Sequence, residues 1–327
     1  ASDAWSTGVF LRELTLLYDA FSTGKSSPLI ELPIQYADFA IWQRQWAQGE
    51  VWAGHLAYWK QRLAGAPQCL DLPTDRPRPA VSRHLGAHES VVLTEALSAA
   101  LRTLSRRDGV TLFMVLLAAF KVLLQRHTGQ DDIVVGSPIG CRNRLETEGL
   151  IGFFINALVL RTDLSGSPKF RELLARVRES CVGAYTHQDI PFEKLVEELH
   201  PARDSSRSPL FQILFDMLNL PDIGTGQLRG LKVENMPRPR AAAKYDLTLF
   251  AMEKRPQIRL QLLYDTDLFS QKWIAELLAQ YRYLLDQVVE NPDRTIDDYS
   301  LVTSTAKQLL PDPTLPLDDT WYGAVHE

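Results

Sequence analysis

A mostly helical segment over the first 63 or so residues, followed after residue 84 by a mixed α/β or α+β body, is the architecture this sequence predicts. Three observations predict it. Apolar residues before residue 64 recur at helical spacing, with no run of strand character among them. Residues 71–83 carry prolines and alternating charge, the composition of an extended crossing segment. Beyond that point short apolar or alternating runs, read as strands, are interleaved with amphipathic helical patterns.

The elements follow in order. Val9, Phe10, Leu14, Leu17 and Phe21 mark a first helix, with Ser6 or Thr7 placed to cap it. Residues 22–33 are rich in turn formers and read as a loop. Helices are predicted from Tyr36 to about Gln48 and from about Trp52 to Leu63. Together they hold Trp42, Trp46, Trp52 and Trp59 of the seven tryptophans, a density expected where elements pack on each other. A strand near His88–Leu93 comes next. Thr94 caps a helix with Leu97, Leu101 and Leu104 on one face. A turn at Asp108-Gly109 and Thr111 lead into Leu112–Leu124, which is apolar nearly all round and is therefore expected to be buried.

Ile133–Val135 reads as a short buried strand stopped by Gly136 and Pro138, and Phe153–Thr162 as a mostly apolar strand. Ser167-Pro168 is a helix start, with Phe170, Leu173, Leu174, Val177 and Cys181 on the inner face. A short helix is predicted over Pro191–Leu199, with Asp189 placed to cap it. Strands are predicted over Leu210–Leu218, Tyr245–Glu253 and Ile258–Tyr264. A long helix over Ser270–Glu290 closes the body, and the tail from Asp297 reads as a linker.

Composition narrows the function classes. The 327 residues exceed one comfortable core of about 250–300 residues, so two lobes, or one lobe and part of another, are expected. Hydrophobic residues make up 45% and charged residues 23%, which excludes disorder for most of the chain. The net charge of −5 (35 basic, 40 acidic) offers no nucleic-acid-binding surface. Cys69, Cys141 and Cys181 are odd in number and far apart; they build neither a disulfide framework nor a zinc site, and a reducing, cytoplasmic setting is the expectation. The longest apolar run, Leu112–Phe120, ends at Lys121, well short of the roughly 20 residues of a membrane span, and no signal-peptide pattern precedes it. The chain begins without Met and almost at once on a helical pattern, which reads as a piece of something longer.

Four segments carry a family resemblance when taken together and in order: Tyr36-Ala-Asp-Phe-Ala-Ile-Trp-Gln43; Ile151-Gly-Phe-Phe-Ile-Asn-Ala-Leu158, ending on Arg161; His187-Gln-Asp-Ile-Pro-Phe-Glu193; and Arg203-Asp-Ser-Ser-Arg-Ser-Pro-Leu-Phe-Gln212. They resemble the later core motifs of the condensation domains of nonribosomal peptide synthetases, over essentially the whole chain. The resemblance implies a chloramphenicol acetyltransferase-like fold, a two-lobed V-shaped pseudo-dimer with a tunnel between the lobes. In this chain the N-terminal lobe would be incomplete. Residues 1–83 would be its remnant plus the crossing linker, 84–302 the C-terminal lobe, and 303–327 a linker to an adenylation domain. The tail Trp321-Tyr-Gly-Ala-Val-His-Glu327 resembles the lead-in to such a domain.

The resemblance also implies a reaction. The amine of an aminoacyl thioester on a downstream peptidyl carrier protein attacks the acyl or peptidyl thioester on an upstream one. Both are tethered to phosphopantetheine arms, and the domain itself binds no cofactor or metal. A monomeric unit within a modular chain is expected. The family signature His-His-x-x-x-Asp-Gly, followed by an aromatic residue and Ser, aligns Asp3 with its Asp, Ala4 with its Gly and Ser6 with its Ser. The signature's second His then lies two residues before Ala1, so no catalytic residue is present and no turnover by the chain alone is expected. Two alternatives remain at this point: the related epimerisation domain, and a non-catalytic condensation-like module that docks a carrier or recruits an enzyme.

The resemblance gives Asp3 a structural role, paired with an arginine. Arg142 is the first candidate and Arg144 the second, and a solvent-facing loop arginine is the other reading of Arg142. Ala4 replaces a glycine that permits left-handed backbone or close substrate approach. Trp5 and Ser6 are tunnel candidates, with helix capping the plainer reading of Ser6. Asn156 is either a satisfied buried amide that orients a loop or a tunnel contact. His187 reads as part of a structural corner rather than a base, and Arg203, Asp204 and Arg207 as an ion-paired turn.

Overall fold

The computed structural model of the chain describes residues 2–47, 49–201, 204–218, 228–234, 236 and 241–309. Arg203 and the tail motif at Trp321 lie outside the described residues. Three helices come first: α1 (Ala4–Ser22), α2 (Tyr36–Trp46) and α3 (Glu50–Leu63). Asp3, in extended conformation, caps α1 by accepting from the Ser6 N–H at 2.8 Å. Neither Ser6 nor Thr7 is the cap; the carboxylate three residues ahead of Ser6 reaches the free amide first. At α2 the Asp38 side chain reaches back to the Gln35 N–H at 2.8 Å.

The rest is built on one seven-stranded sheet. In chain order its frame is β1 (Leu85–Val92), α4 (Glu95–Arg107), α5 (Leu112–Thr128), β2 (Asp132–Ile139), α6 (Leu145–Glu148), β3 (Asn156–Asp163), α7 (Phe170–Thr186) and α8 (Phe192–Leu199). There follow β4 (Ile213–Leu218), β5 (Ala241–Ala242), β6 (Leu247–Lys254), β7 (Gln257–Asp265), α9 (Gln271–Glu290), a 3₁₀ turn (Ile296–Asp298) and α10 (Ser304–Leu309). The strand order is β3-β2-β4-β6-β7-β1-β5, with β2–β4 and β4–β6 parallel and the other pairs antiparallel.

Helices α4, α5, α7 and α9 pack together and against the strands. α5 is the centre, buried continuously from Met114 to Leu124 as its all-round apolar sequence requires. Phe113 and Phe120 of α5 meet Phe215 of β4 at 5.2 and 6.0 Å between ring centroids. The Tyr281 hydroxyl ties α9 to α5 by donating to Leu116 O at 2.7 Å. Lys121 is fully buried in this helix, and its ammonium donates to Leu160 O (2.6 Å), Thr162 Oγ1 (2.8 Å) and Ile133 O (3.3 Å). Burial pushes its pKa down to about 7.

Several expected boundaries move. β2 continues through Gly136 and Pro138, which pair with Val159 and Ala157; glycine is needed there because a Cβ would lie 2.1 Å from the Phe211 ring. Residues 153–155 are not strand but part of a loop that wraps the start of α1. Ser167 is not the cap of α7: it holds a positive φ of 46°, Lys169 is the N-cap, and Glu172 accepts from its N–H. β4 begins at Ile213 rather than Leu210, whose φ of 66° cannot continue a strand. Asp189 does not cap α8; Pro191 holds that position with no side-chain cap of its own. The linker predicted from Asp297 is packed as far as Thr303, with Tyr299 buried and its hydroxyl donating to Asn291 O at 2.7 Å.

The proline-rich stretch crosses the sheet body in extended form. Backbone amides of Leu70 and Asp71 donate to the side chains of Gln212 and Gln130, the Asp75 N–H donates to Leu268 O, and Arg78 binds Asp246 through both guanidinium nitrogens. α3 docks against α7, α8 and β3. Trp59 is buried and donates from Nε1 to His187 O at 2.8 Å, while Tyr58 packs so closely on α7 that a Cβ at Gly183 would meet its hydroxyl at 2.2 Å.

Candidate functional site

Asp3 and Arg142, 139 residues apart, form a buried ion pair at 3.2 Å, with their side chains 1% and 4% exposed. Arg144 is not the partner; its guanidinium lies over the Trp42 ring at 4.6 Å. The pair is the centre of a dense node. Asp3 Oδ1 accepts from the Ser6 N–H and hydroxyl (2.8 and 2.7 Å), and Oδ2 from the Phe154 N–H at 3.0 Å. Arg142 donates through Nη1 to Thr147 O and to Leu150 O (2.9 Å), and through Nη2 to the Ser6 hydroxyl at 2.9 Å. Its guanidinium lies 4.0 Å from the centre of the Phe154 ring. Burial alone would raise the Asp3 pKa. The hydrogen bonds from Ser6 and Phe154 and the charge of Arg142 outweigh burial and hold it below the ordinary carboxylate value.

Ser6 is buried and has four partners: Asp3, Arg142, and both the N–H (3.1 Å) and the carbonyl (2.7 Å) of Gly152. The two lone pairs accept from Arg142 and the Gly152 N–H, the single hydroxyl proton is shared between Asp3 Oδ1 and Gly152 O, and the side chain bolts the first turn of α1 to the 150–156 loop. Gly152 is required where it stands, because a Cβ there would lie 2.1 Å from the Tyr36 ring. Trp5, 40% exposed, adds a bond from Nε1 to Glu148 O at 2.9 Å. Ala4 is an exposed first residue of α1 in right-handed helical backbone, so its methyl group meets no conformational penalty.

Asn156 organises the neighbouring corner. Its amide nitrogen donates to Gln188 O (2.8 Å) and Ile190 O (2.6 Å), and its oxygen accepts from the N–H groups of Ala157 and Phe192, both at 2.9 Å. The Phe192 bond supplies from another strand the cap that Pro191 cannot provide for α8. His187 stacks on Tyr58 at 3.8 Å and hydrogen-bonds Gly183 O through Nδ1 at 2.8 Å, a structural corner. Asp204 accepts from the Ser206 N–H and hydroxyl, and Arg207 bridges Asp71 (3.5 Å) and Asp204 (3.7 Å), away from the Asp3 node.

A cavity of about 220 Å³ opens beside this node, between the aromatic face of α2 and the 188–193 corner. Tyr36, Phe39, Trp42 and Trp46 line it from α2, and Phe154 closes it on the Asp3 side. Sequence reading quoted Gly152 and Phe154 only as members of a motif, gave neither a role, and did not foresee this cavity. The available signal was the spacing of aromatic residues at 36, 39, 42 and 46, which places them along one helical face.

A family model for the condensation domain matches residues 1–311. The chain belongs to the condensation-domain family. It is 50% identical over 310 residues to a linear gramicidin synthase of Brevibacillus parabrevis, covering 94% of this chain and 6% of that protein. It is 42% identical over 309 residues to malpinin synthetase of Mortierella alpina, covering 94% and 4%. This condensation domain thus spans a small part of the curated relatives it matches. Its fold is similar to the X-domain from teicoplanin biosynthesis, with a TM-score of 0.85 and 31% identity over 92% of this chain and 69% of that one. It is also similar to part of a four-domain nonribosomal peptide synthetase bound to AMP and glycine, with a TM-score of 0.80 and 24% identity over 94% of this chain and 24% of that one. The second likeness speaks to fold alone. Among the described residues of this condensation domain no single helix is long and apolar enough to cross a membrane.

Proposed function

We propose that this chain contributes the Asp3 node and the C-terminal lobe of an amide-forming condensation domain in a nonribosomal peptide synthetase. An amine on one carrier-bound phosphopantetheine arm would attack an acyl or peptidyl thioester on another. The buried Asp3–Arg142 pair supports the reading most directly, because it holds the segment that resembles the family signature against the 142–154 loop. A free amine and a thioester need mainly to be brought together, and a rigid node beside the reacting centre serves that purpose. Asp3 and Arg142 are positioning residues in this reading, Ala4 is a tolerated replacement, and Trp5, Ser6 and Asn156 hold the wall of the tunnel rather than touch substrate. No residue of this chain is assigned the base. Upstream and downstream peptidyl carriers and an adenylation domain are the proposed partners, in the cytoplasm, with residues 1–83, 84–302 and 303–327 as lobe remnant, lobe and linker.

The test is a peptide-forming assay with donor- and acceptor-loaded carrier proteins, run on this chain and on a version extended upstream. The extended protein is expected to form the amide and the short one to form none. Arg142→Met in the extended protein is expected to lower the rate by at least about tenfold, the size of effect a misplaced reacting group produces. Proton exchange at the donor α-carbon without amide formation would instead establish an epimerisation domain.

A further inference from the structure

We propose that Tyr36 is a positioning residue for Asp3: its hydroxyl holds one side of the Phe153–Phe154 peptide while the other side holds the carboxylate. The Tyr36 hydroxyl donates to Phe153 O at 2.9 Å, and the Phe154 N–H donates to Asp3 Oδ2 at 3.0 Å. That carbonyl and that N–H belong to one planar peptide unit. A hydrogen bond accepted by the carbonyl polarises the unit and makes its N–H a better donor, so the two bonds strengthen each other. The phenol and the carboxylate are thereby joined through a single rigid group.

The ring fixes where the hydroxyl stands. Tyr36 is the first residue of α2, and the bond from the Gln35 N–H to Asp38 secures the start of that helix. The ring fills the space that a side chain at Gly152 would need, a Cβ there lying 2.1 Å from it, and meets Phe154 edge-on at 5.2 Å between centroids. Phe39, one turn later, packs on the same Phe154 ring at 4.7 Å, and Trp42 takes the Arg144 guanidinium at 4.6 Å. One face of α2 therefore braces the 144–154 segment. The remaining groups of that segment answer to α1 and to the loop itself: Gly152 gives both its backbone groups to the Ser6 hydroxyl, and Arg142 binds Leu150 O and stacks on Phe154. Tyr36 adds a third element to the node, and it does so at the peptide unit that touches Asp3. Without the hydroxyl, the peptide and Asp3 with it are free to shift, and a misplaced reacting group costs turnover rather than carrier affinity. Only this effect on rate rests on the amide-forming reading.

Phe153-Phe154 is the only Phe–Phe step in the sequence. Isotope-labelling phenylalanine at its carbonyl carbon and its amide nitrogen therefore gives a single carbonyl-to-amide NMR correlation. Its carbonyl reports the Tyr36 bond and its amide proton the Asp3 bond. In the 327-residue chain, Tyr36→Phe, which keeps the ring and removes the hydroxyl, is expected to move both nuclei upfield. In the protein extended upstream, the same variant is expected to lower kcat for amide formation about fivefold, the factor one neutral hydrogen bond contributes, with KM for both carriers unchanged. Gly183→Ala, which loosens the α3 contact instead, is expected to leave the correlation and kcat unchanged. A carbonyl that moves without the amide proton would show that the Tyr36 bond does not reach Asp3 and would overturn the role. Unchanged kcat, a raised KM, or the same losses in Gly183→Ala would overturn it too. A correlation that moves as expected, in a protein whose extended form makes no amide, would sink the amide-forming reading and leave the coupling of Tyr36 to Asp3. Amide formation with an unmoved correlation would sink the coupling alone.

Discussion

Helices α2 and α5 are both rich in large apolar residues, α2 along one aromatic face and α5 nearly all round, and they meet opposite fates. α5 lies beneath the sheet and is buried continuously from Met114 to Leu124, whereas α2 buries no residue. The same contrast separates the two regions to which they belong. The sheet-based body closes its core on itself from β1 to α9. The helices before residue 64 touch it through a few anchors, such as Trp59 and the Asp3 node, and leave Phe10, Leu14, Phe21 and Trp42 more than a third exposed. An amphipathic pattern states that a face is able to be buried; whether it is buried depends on what stands opposite.

Substitutions test this contrast in decreasing order of effect. Phe215→Ala, in the ring cluster beneath β4, is expected to cost about 3–5 kcal/mol in denaturant unfolding, while Phe21→Ala on α1 stays within about 0.5 kcal/mol. Equal costs would show that the first helices share one core with the body. Arg142→Met, which strands the buried Asp3 carboxylate, is expected to cost about 3–5 kcal/mol, with part recovered in the double variant Asp3→Asn, Arg142→Met. Full additivity of the two changes would break the picture of a single node. Gly183→Ala, which drives a methyl group against the Tyr58 hydroxyl, is expected to cost about 1–3 kcal/mol and to make α3 more sensitive to limited proteolysis than α7.

The two regions also differ in pH response. Lys121 lies in the body with a pKa lowered to about 7, so the unfolded chain binds more protons between there and the ordinary lysine value of 10.5. Stability is therefore expected to rise with pH across that window, and Lys121→Met should flatten the rise in thermal-melt measurements. Asp3 lies at the junction with its pKa lowered. Its stabilising contribution is present above the ordinary carboxylate range and is lost as pH falls through the folded-state value, which Asp3→Asn should remove.

The residue types already contained the positions of most helices and strands, the buried character of α5, and the ordered motifs that place the chain in its family. Those signals are local: periodicity, caps and short spacings act over a few residues and do not need the rest of the chain. Partner choice was legible only in part: the resemblance put Arg142 ahead of Arg144 as the partner of Asp3, without excluding either the second arginine or a solvent-facing Arg142. Arg142 and Arg144 are near-equivalent in sequence, and only folding puts one guanidinium on a carboxylate 139 residues away and the other on Trp42. Likewise Asn156 reads as an odd amide in an apolar strand until Gln188, Ile190 and Phe192 are brought around it. Such contacts arise from the packing of distant elements, where a shift of one helical turn would exchange every partner, and so the tertiary structure alone decided them.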